Sequence, residues 1–193
     1  MVEGIVLAGG LSSRANDNKM LLPHKNKPII EHVIDTMAPY VSTVFVVTGH
    51  YHDALTKALR GKPNVTLIYN ANYMNGMFSS VQTGVAFTMG NFFVIPGDIP
   101  LIEGSTYKNI LEASGQIRVP TYRGRKGHPL YIDKSLKQAL LDEPPDSNLK
   151  AFRDKYPITC VNVDDKGIRV DVDTMADYHA LNDQDEGTDT SEH

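Results

Sequence analysis

Two glycines, an arginine and a lysine share one short stretch near the start of the chain: Gly9, Gly10, Arg14 and Lys19 all fall within GIVLAGGLSSRANDNKMLLP, residues 4–23. Paired glycines let the backbone turn sharply and bring amide N–H groups against an anion. Two cations in the same stretch neutralise a polyphosphate. The segment reads either as a phosphate cradle or as a flexible loop with solvated charges. It is not a P-loop, which needs Gly-Lys-Ser/Thr, nor a dinucleotide fingerprint, which needs Gly-x-Gly-x-x-Gly.

Carboxylates follow later. Asp98 closes the apolar run in VIPGDIP, where a proline and a glycine hold the turn. A lone carboxylate there suits Mg²⁺, which takes one or two carboxylates together with phosphate oxygens. Asp171 and Asp173 alternate in VDVDT, an expected strand, so both point to one face. Asp173 is either a metal ligand or a cap, because DTMADY also reads as a helix start in which Asp173 or Thr174 caps and Asp177 sits in the first turn. Asp171 and Asp177 read as structural. His128 shares the loop RGRKGHP with Arg123, Arg125 and Lys126, either a receiver for an anionic co-substrate or a solvated basic hairpin.

His50 and His52 have no Cys or further His near them in sequence, which argues against zinc. No serine sits in a Gly-x-Ser-x-Gly elbow. The missing nucleophile and base fit a reaction that needs little proton transfer. A phosphate acceptor, with its second pKa near about 6, is already ionised at neutral pH. Catalysis then reduces to alignment and charge neutralisation by Mg²⁺, Lys19 and Arg14.

These residues need a frame that brings loops to one edge. GIVLA reads as a buried strand and PIIEHVIDTMAPYV, with proline at its start, as a helix. TVFVVTG, VTLIY and NFFVIPGD read as further strands, separated by helices at HDALTKALRG and from Met77 to Met89. This is parallel α/β layering. After Pro100 a mixed sheet is expected: helix STYKNILEAS, strand IRVPTY, the basic loop, strand LYI, two short helices around EPPDSN, then strands PITCVNV and IRVDVDT. Ligands of open α/β sheets sit beyond the carboxyl ends of the strands. The informative loops are therefore Gly9 to Lys19, Asn70 to Ser80, Pro96 to Leu101 and Asp171 to Thr174.

The 193 residues suffice for one core, and residues 1–182 are expected to form one domain. The polar stretch 183–193 is expected to be a disordered acidic tail. With 41% hydrophobic residues and a net charge of −4, neither a membrane span nor broad nucleic-acid binding is expected. Cys160, the single cysteine, excludes an internal disulfide and reads as structural. The start of the chain shows no export signal, so a cytoplasmic protein is expected.

Taken in order, the motifs resemble those of the molybdenum cofactor nucleotidyltransferases, and most resemble the cytidylyltransferase branch. The segment from Leu7-Ala8-Gly9-Gly10 through Ser12, Arg14 and Lys19 to LLP is similar to the family's opening signature. GMFSSVQTG, PGDIP, GHP and DVDTMADY are similar in kind and order to its later motifs. The resemblance implies a Rossmann-like three-layer α/β/α fold with a mostly parallel, partly mixed central sheet. It also implies Mg²⁺-dependent transfer of a nucleoside monophosphate from CTP to the terminal phosphate of the molybdopterin cofactor, releasing pyrophosphate.

By position, Leu7, Ala8, Gly9, Gly10, Ser12, Arg14 and Lys19 would bind the triphosphate. Asp98 would hold the metal, either alone or together with Asp173; Lys19, Arg14 and Asp98 would carry catalysis. Gly76, Ser79 and Ser80 would lie near the base or ribose, and Gly127 and His128 would face the pterin. A recipient molybdoenzyme or its chaperone is an implied partner. Two departures stand out. Ala15-Asn16 replaces the usual Met-Gly, and Leu-Ala-Gly-Gly is the form of the guanylyl branch, whereas the later motifs look like the cytidylyl branch. GTP in place of CTP, a sugar or alcohol phosphate as acceptor, and a non-catalytic cofactor carrier are the alternatives.

Overall fold

The computed structural model describes residues 1–10 and 18–186, with side chains to residue 183. Ser12 and Arg14 therefore lie outside the described residues, as does most of the expected tail.

β1 (Val2–Ala8) runs through the middle of the sheet, paired in parallel with β4 (Val44–Thr48) on one side and β6 (Asn91–Pro96) on the other. Its side chains alternate between two apolar layers, as a strand covered on both faces requires. Val6 and Ala8 pack with Ile30, Val33 and Ile34 of α1 (Ile29–Met37), Leu55 of α2 (His52–Ala58) and Tyr107 and Ile110 of α4 (Gly104–Glu112). Ile5 and Leu7 pack on the other side with Phe78, Val81 and Val85 of α3 (Met77–Phe87), Leu140 of α5 (Lys137–Leu141) and Phe152 of α6 (Leu149–Arg153). Each fully buried aliphatic side chain contributes about 1.5–3 kcal/mol relative to exposure, so the two layers fix the strand register firmly.

The sheet continues through β5 (Val65–Tyr69), β7 (Ile117–Tyr122), β9 (Leu130–Ile132) and β10 (Ile158–Asn162), in the order β10-β7-β9-β6-β1-β4-β5. β8 (Arg125–Lys126) pairs antiparallel with β7. β9 is antiparallel to both β6 and β7, so it begins at the edge where the parallel strands end. That reversal brings the loop before β9, with Gly127 and His128, to the same edge as the loops after β1 and β6. A short hairpin of β2 (Pro23–His24) and β3 (Lys27–Pro28) precedes α1.

The mixed three-layer α/β architecture matches the expectation, with one correction. IRVDVDT is not a strand: residues 166–169 form a 3-10 turn and residues 170–173 are extended without a ladder. Val172 N donates to Asp98 O at 2.9 Å, one bond in place of strand pairing. Val172 is nevertheless buried, and both flanking aspartates line the neighbouring cleft. The alternation was read rightly and the element wrongly, since a single buried valine imposes the same facing as a strand.

Candidate active site

Two adjoining clefts open along the carboxyl edge. The first, about 530 Å³, is lined by the loop after β1, by Lys19, by the turn leading into α3, and by Asp98 and Asp173. The second, about 470 Å³, is lined by the loop before β9, by Arg153 and by residues 168–173. Met77, Pro96, Asp98 and Asp173 belong to both. The two aspartates therefore stand at the junction.

In the first cleft, Gly9 and Gly10 differ. A Cβ on Gly9 would lie 2.6 Å from Ser80 Oγ, whereas one on Gly10 would meet nothing within 4 Å. Gly9 is thus demanded by packing against α3, and Gly10 leaves the open cleft free for close approach. Ser80 Oγ accepts a 3.0 Å hydrogen bond from Asn70 Nδ2, and Ser79 Oγ accepts one of 2.9 Å from the same amide. Ser79 Oγ also lies 2.8 Å from the Gly76 carbonyl. Ser80 lines the cleft and Ser79 does not; the Ser79 hydroxyl ties the turn together instead.

Gly76 sits before α3 at φ 96°, a conformation that L side chains rarely adopt, and it lines the cleft. Leu7 also contributes to the wall, while Ala8 is buried and packs in the core. Tyr73, Met74 and Met77 were not singled out from sequence, yet they line the mouth, and Met74 and Met77 are 66% and 65% exposed. Exposed thioethers at a cleft mouth offer adaptable apolar contact to a flat ring.

Lys19 lies on the short turn Lys19–Leu21, whose preceding Asn18 accepts a hydrogen bond from Met20 N at 3.2 Å. Its Nζ donates to the Asp173 carbonyl oxygen and lies 3.7 Å from Asp173 Oδ1. The lysine therefore joins the opening loop to the distant acidic segment.

The helix cap resolves in favour of Thr174. Thr174 N and Oγ1 donate to Asp177 Oδ2 at 2.7 Å each, and Asp177 N donates back to Thr174 Oγ1 at 3.2 Å. This reciprocal pair starts α7 (Met175–Glu186) as a capping box. Asp177 is structural, as its sequence context indicates, and the Asp173 side chain is left at the clefts.

Burial, then the charge of Asp173 and that of Asp171, pushes Asp98 up to about 6. Asp171 is also raised, chiefly by burial and by Asp173, and it lines the second cleft. Its assignment as merely structural is incomplete. Among the described residues no three His, Cys, Asp or Glu side chains form a group able to hold a metal ion unaided. The donor set instead suits a hard cation that arrives with phosphate oxygens and needs only one or two carboxylates. A half-desolvated carboxylate crowded by like charge gains most from such a cation.

In the second cleft, His128 N donates to Ile168 O at 2.8 Å, and a Cβ on Gly127 would collide with that same carbonyl. The Gly-His pair is thus packed on the 3-10 turn. His128 Nδ1 is buried without a hydrogen-bond partner. Burial, reinforced by the Arg153 charge, pushes the ring down to about 4, so His128 is neutral at pH 7. The 3-10 turn itself is pinned by Asp165, which accepts from Gly167 N at 2.8 Å, Thr106 Oγ1 at 2.7 Å and Glu103 N at 2.9 Å. Arg153 and Arg169 escaped the sequence reading because neither lies in a recognisable motif.

With this geometry, the likenesses to other proteins acquire meaning. Residues 4–159 match the family described as the MobA-like NTP transferase domain. Over 183 residues the chain is 28% identical to the molybdenum cofactor cytidylyltransferase of Escherichia coli strain K12, covering 92% of this chain and 93% of that protein. It is also 28% identical over 129 residues to a probable molybdenum cofactor guanylyltransferase of Bacillus mycoides strain KBAB4, covering 64% of this chain and 63% of that one. In fold it is similar to a nucleotidyl transferase from Methanothermobacter thermautotroptrophicus, Mth528, with a TM-score of 0.83 and 23% identity, covering 98% of this chain and 99% of that one.

Proposed function

The chain belongs to the MobA-like NTP transferase family, and we propose that it transfers CMP from CTP to the terminal phosphate of the molybdopterin cofactor, giving the cytosine dinucleotide form and pyrophosphate. The observation that carries this reading is the pair of clefts sharing Asp98 and Asp173. One cleft supplies a glycine turn and Lys19 for a triphosphate; the other receives the acceptor. The shared wall is where the two phosphates meet.

Gly9, Gly10 and Lys19 hold the triphosphate, joined by Ser12 and Arg14 from the same loop. Gly76 and Ser80 shape the base and ribose end, with Ser79 fixing the turn that carries them. Asp98, assisted by Asp173, would hold Mg²⁺, which when bound would neutralise phosphate oxygens and the charge developing on pyrophosphate. An oxygen of the acceptor phosphate attacks the α-phosphorus. The new O–P bond forms as the bond from the α-phosphorus to the bridging oxygen breaks, and that electron pair leaves with pyrophosphate. Lys19 stabilises the leaving group. No general base is required because the acceptor oxygen is already ionised.

CTP is favoured over GTP on two grounds. The cytidylyltransferase of E. coli aligns along nearly the whole chain, the guanylyltransferase along about two thirds. A Cβ on Gly9 would press on Ser80 Oγ, so packing against Ser80 accounts for the glycine form at this site without a purine. Thermal shift with Mg²⁺ and each of CTP, GTP, ATP and UTP tests the choice. A ligand at 100 times its Kd stabilises by about 2.7 kcal/mol. A shift with GTP alone would remove the CTP reading.

A further inference from the structure

We infer that the second cleft seats its acceptor by a phosphate monoester held between Arg153 and Arg169, with Lys126 as an outer cation. This rests on the transfer reading above and names the residues that serve its acceptor half.

Three cations reach this cleft from three separate elements: Lys126 from β8, Arg153 from the end of α6 and Arg169 from the 3-10 turn. Arg153 is held in place because its neighbour Phe152 is fully buried and its own side chain is only 21% exposed. Its Nε contacts Asp154 Oδ1 at 3.2 Å, but Asp154 also accepts from Lys150 at 2.8 Å. That carboxylate is therefore shared. Among the described residues no hydrogen bond or ion pair is recorded for the Arg153 terminal nitrogens or for Arg169. The turn carrying Arg169 is nonetheless fixed by the three hydrogen bonds to Asp165 and by His128 N on Ile168 O. A pinned turn presenting an uncommitted guanidinium is a ready phosphate contact.

Charge geometry supports the same assignment. Asp98, Asp171 and Asp173 also line this cleft, so an anion inside it is drawn to the arginines. Bringing a phosphate dianion towards a triphosphate opposes like charges. Lys19, held against Asp173 at the junction, and the arginines of the second cleft together offset that repulsion. Arginine suits the task because its planar fork binds phosphate oxygens bidentately. His128 adds no charge. It offers a neutral polar ring beside Arg153 for the non-phosphate part of the acceptor.

The test is equilibrium binding without triphosphate, followed by pterin fluorescence. The ligands are the metal-free pterin phosphate monoester, its dephosphorylated form, and glycerol 3-phosphate as competitor. The proteins are the full chain, Arg169→Ala, Arg153→Lys and the double variant Arg153→Ala/Arg169→Ala. The full chain should prefer the phosphorylated pterin. Arg169→Ala should weaken that binding about tenfold and the double variant about a hundredfold, as expected for lost charged hydrogen bonds. Arg153→Lys, which keeps the charge and loses the fork, should fall between the full chain and the double variant. The dephosphorylated pterin should bind all variants alike, and stabilisation by CTP with Mg²⁺ should not change.

Equal affinities across the variants would overturn the assignment, and so would equal binding of both pterin forms by the full chain. Loss of CTP stabilisation in parallel would overturn it too, assigning the arginines to the fold. Pterin phosphate binding through these arginines without pyrophosphate release under any triphosphate would sink the transfer reading alone. Displacement by glycerol 3-phosphate at lower concentration than pterin phosphate would keep the arginines and change the acceptor to an alcohol phosphate.

Discussion

The two clefts share a wall but are built differently. The first rests on the loops that follow the parallel strands β1, β5 and β6 along one edge. The second depends on the reversed strand β9, a helix end and a 3-10 turn, contributed from residues far apart in the chain. The first draws on glycine-containing turns; the second gathers side chains from separate elements. The proposed triphosphate site relies on backbone turns that side-chain replacement leaves in place, whereas the proposed acceptor site relies on side chains that can be replaced one at a time. Substitutions should therefore divide cleanly between the clefts, and the shared aspartate should fail on both sides.

The largest effect is expected at that junction. Asp98→Asn should reduce turnover at least about a thousandfold, a loss typical of a missing charge-stabilising group, measured as pyrophosphate release. The same variant should be more stable than the parent at pH 8 without nucleotide, by on the order of 2 kcal/mol. The sign follows from the raised pKa of about 6. The folded state holds its proton more tightly than the unfolded one, so burial of the ionised carboxylate costs stability above pH 6, and the cost vanishes below the ordinary carboxylate range. In the parent, stabilisation by CTP with Mg²⁺ should weaken as pH falls through 6. A lower melting temperature for Asp98→Asn at pH 8 would contradict this account.

Next is Lys19→Ala, which should lower kcat by about a hundredfold while leaving binding of pterin phosphate unchanged. Loss of acceptor binding in that variant would erase the division between clefts. Smaller still is Gly9→Ala, expected to cost about 1–3 kcal/mol by overpacking against Ser80 Oγ. Adding Ser80→Ala should recover most of the loss in a double-mutant cycle, and the preference between CTP and GTP should not move in Gly9→Ala alone. A switch of base preference would show that Gly9 shapes the base site after all. The smallest effect concerns pH at the second cleft. His128, pushed down to about 4, binds its proton less readily folded than unfolded, so stability should fall as pH drops from about 6.5 towards 4. His128→Asn should flatten that part of the chemical denaturation profile by about 1 kcal/mol or more.

Much of the first cleft was legible because local rules act locally. Paired glycines after an apolar strand, a carboxylate closing the next parallel strand, and a Thr-Met-Ala-Asp helix start each carry their meaning within a few residues. The fold was legible for the same reason, as β1 and β6 are too apolar to face water. Residues 170–173 misled, since the spacing of one buried valine between aspartates mimics a strand, and strand pairing is decided by distant backbone. Arg153 and Arg169 were illegible because nothing near either residue in sequence sets it apart from a solvated arginine. Only the reversal of β9 and the pinning of a turn by Asp165 bring them to the cleft that holds His128. Gly9 was legible as a glycine, but its packing against Ser80, seventy-one residues away, was not.

The central claim is transfer across the shared aspartate wall, and its most direct test is a competition assay. The full chain is incubated with Mg²⁺, the molybdopterin cofactor and equal concentrations of CTP, GTP, ATP and UTP, and the dinucleotide product is identified by mass. The account predicts the cytosine dinucleotide with one pyrophosphate released per molecule formed, and none with Asp98→Asn. A guanine dinucleotide as the sole product would contradict the choice of CTP, and absence of any dinucleotide or pyrophosphate would contradict the transfer itself.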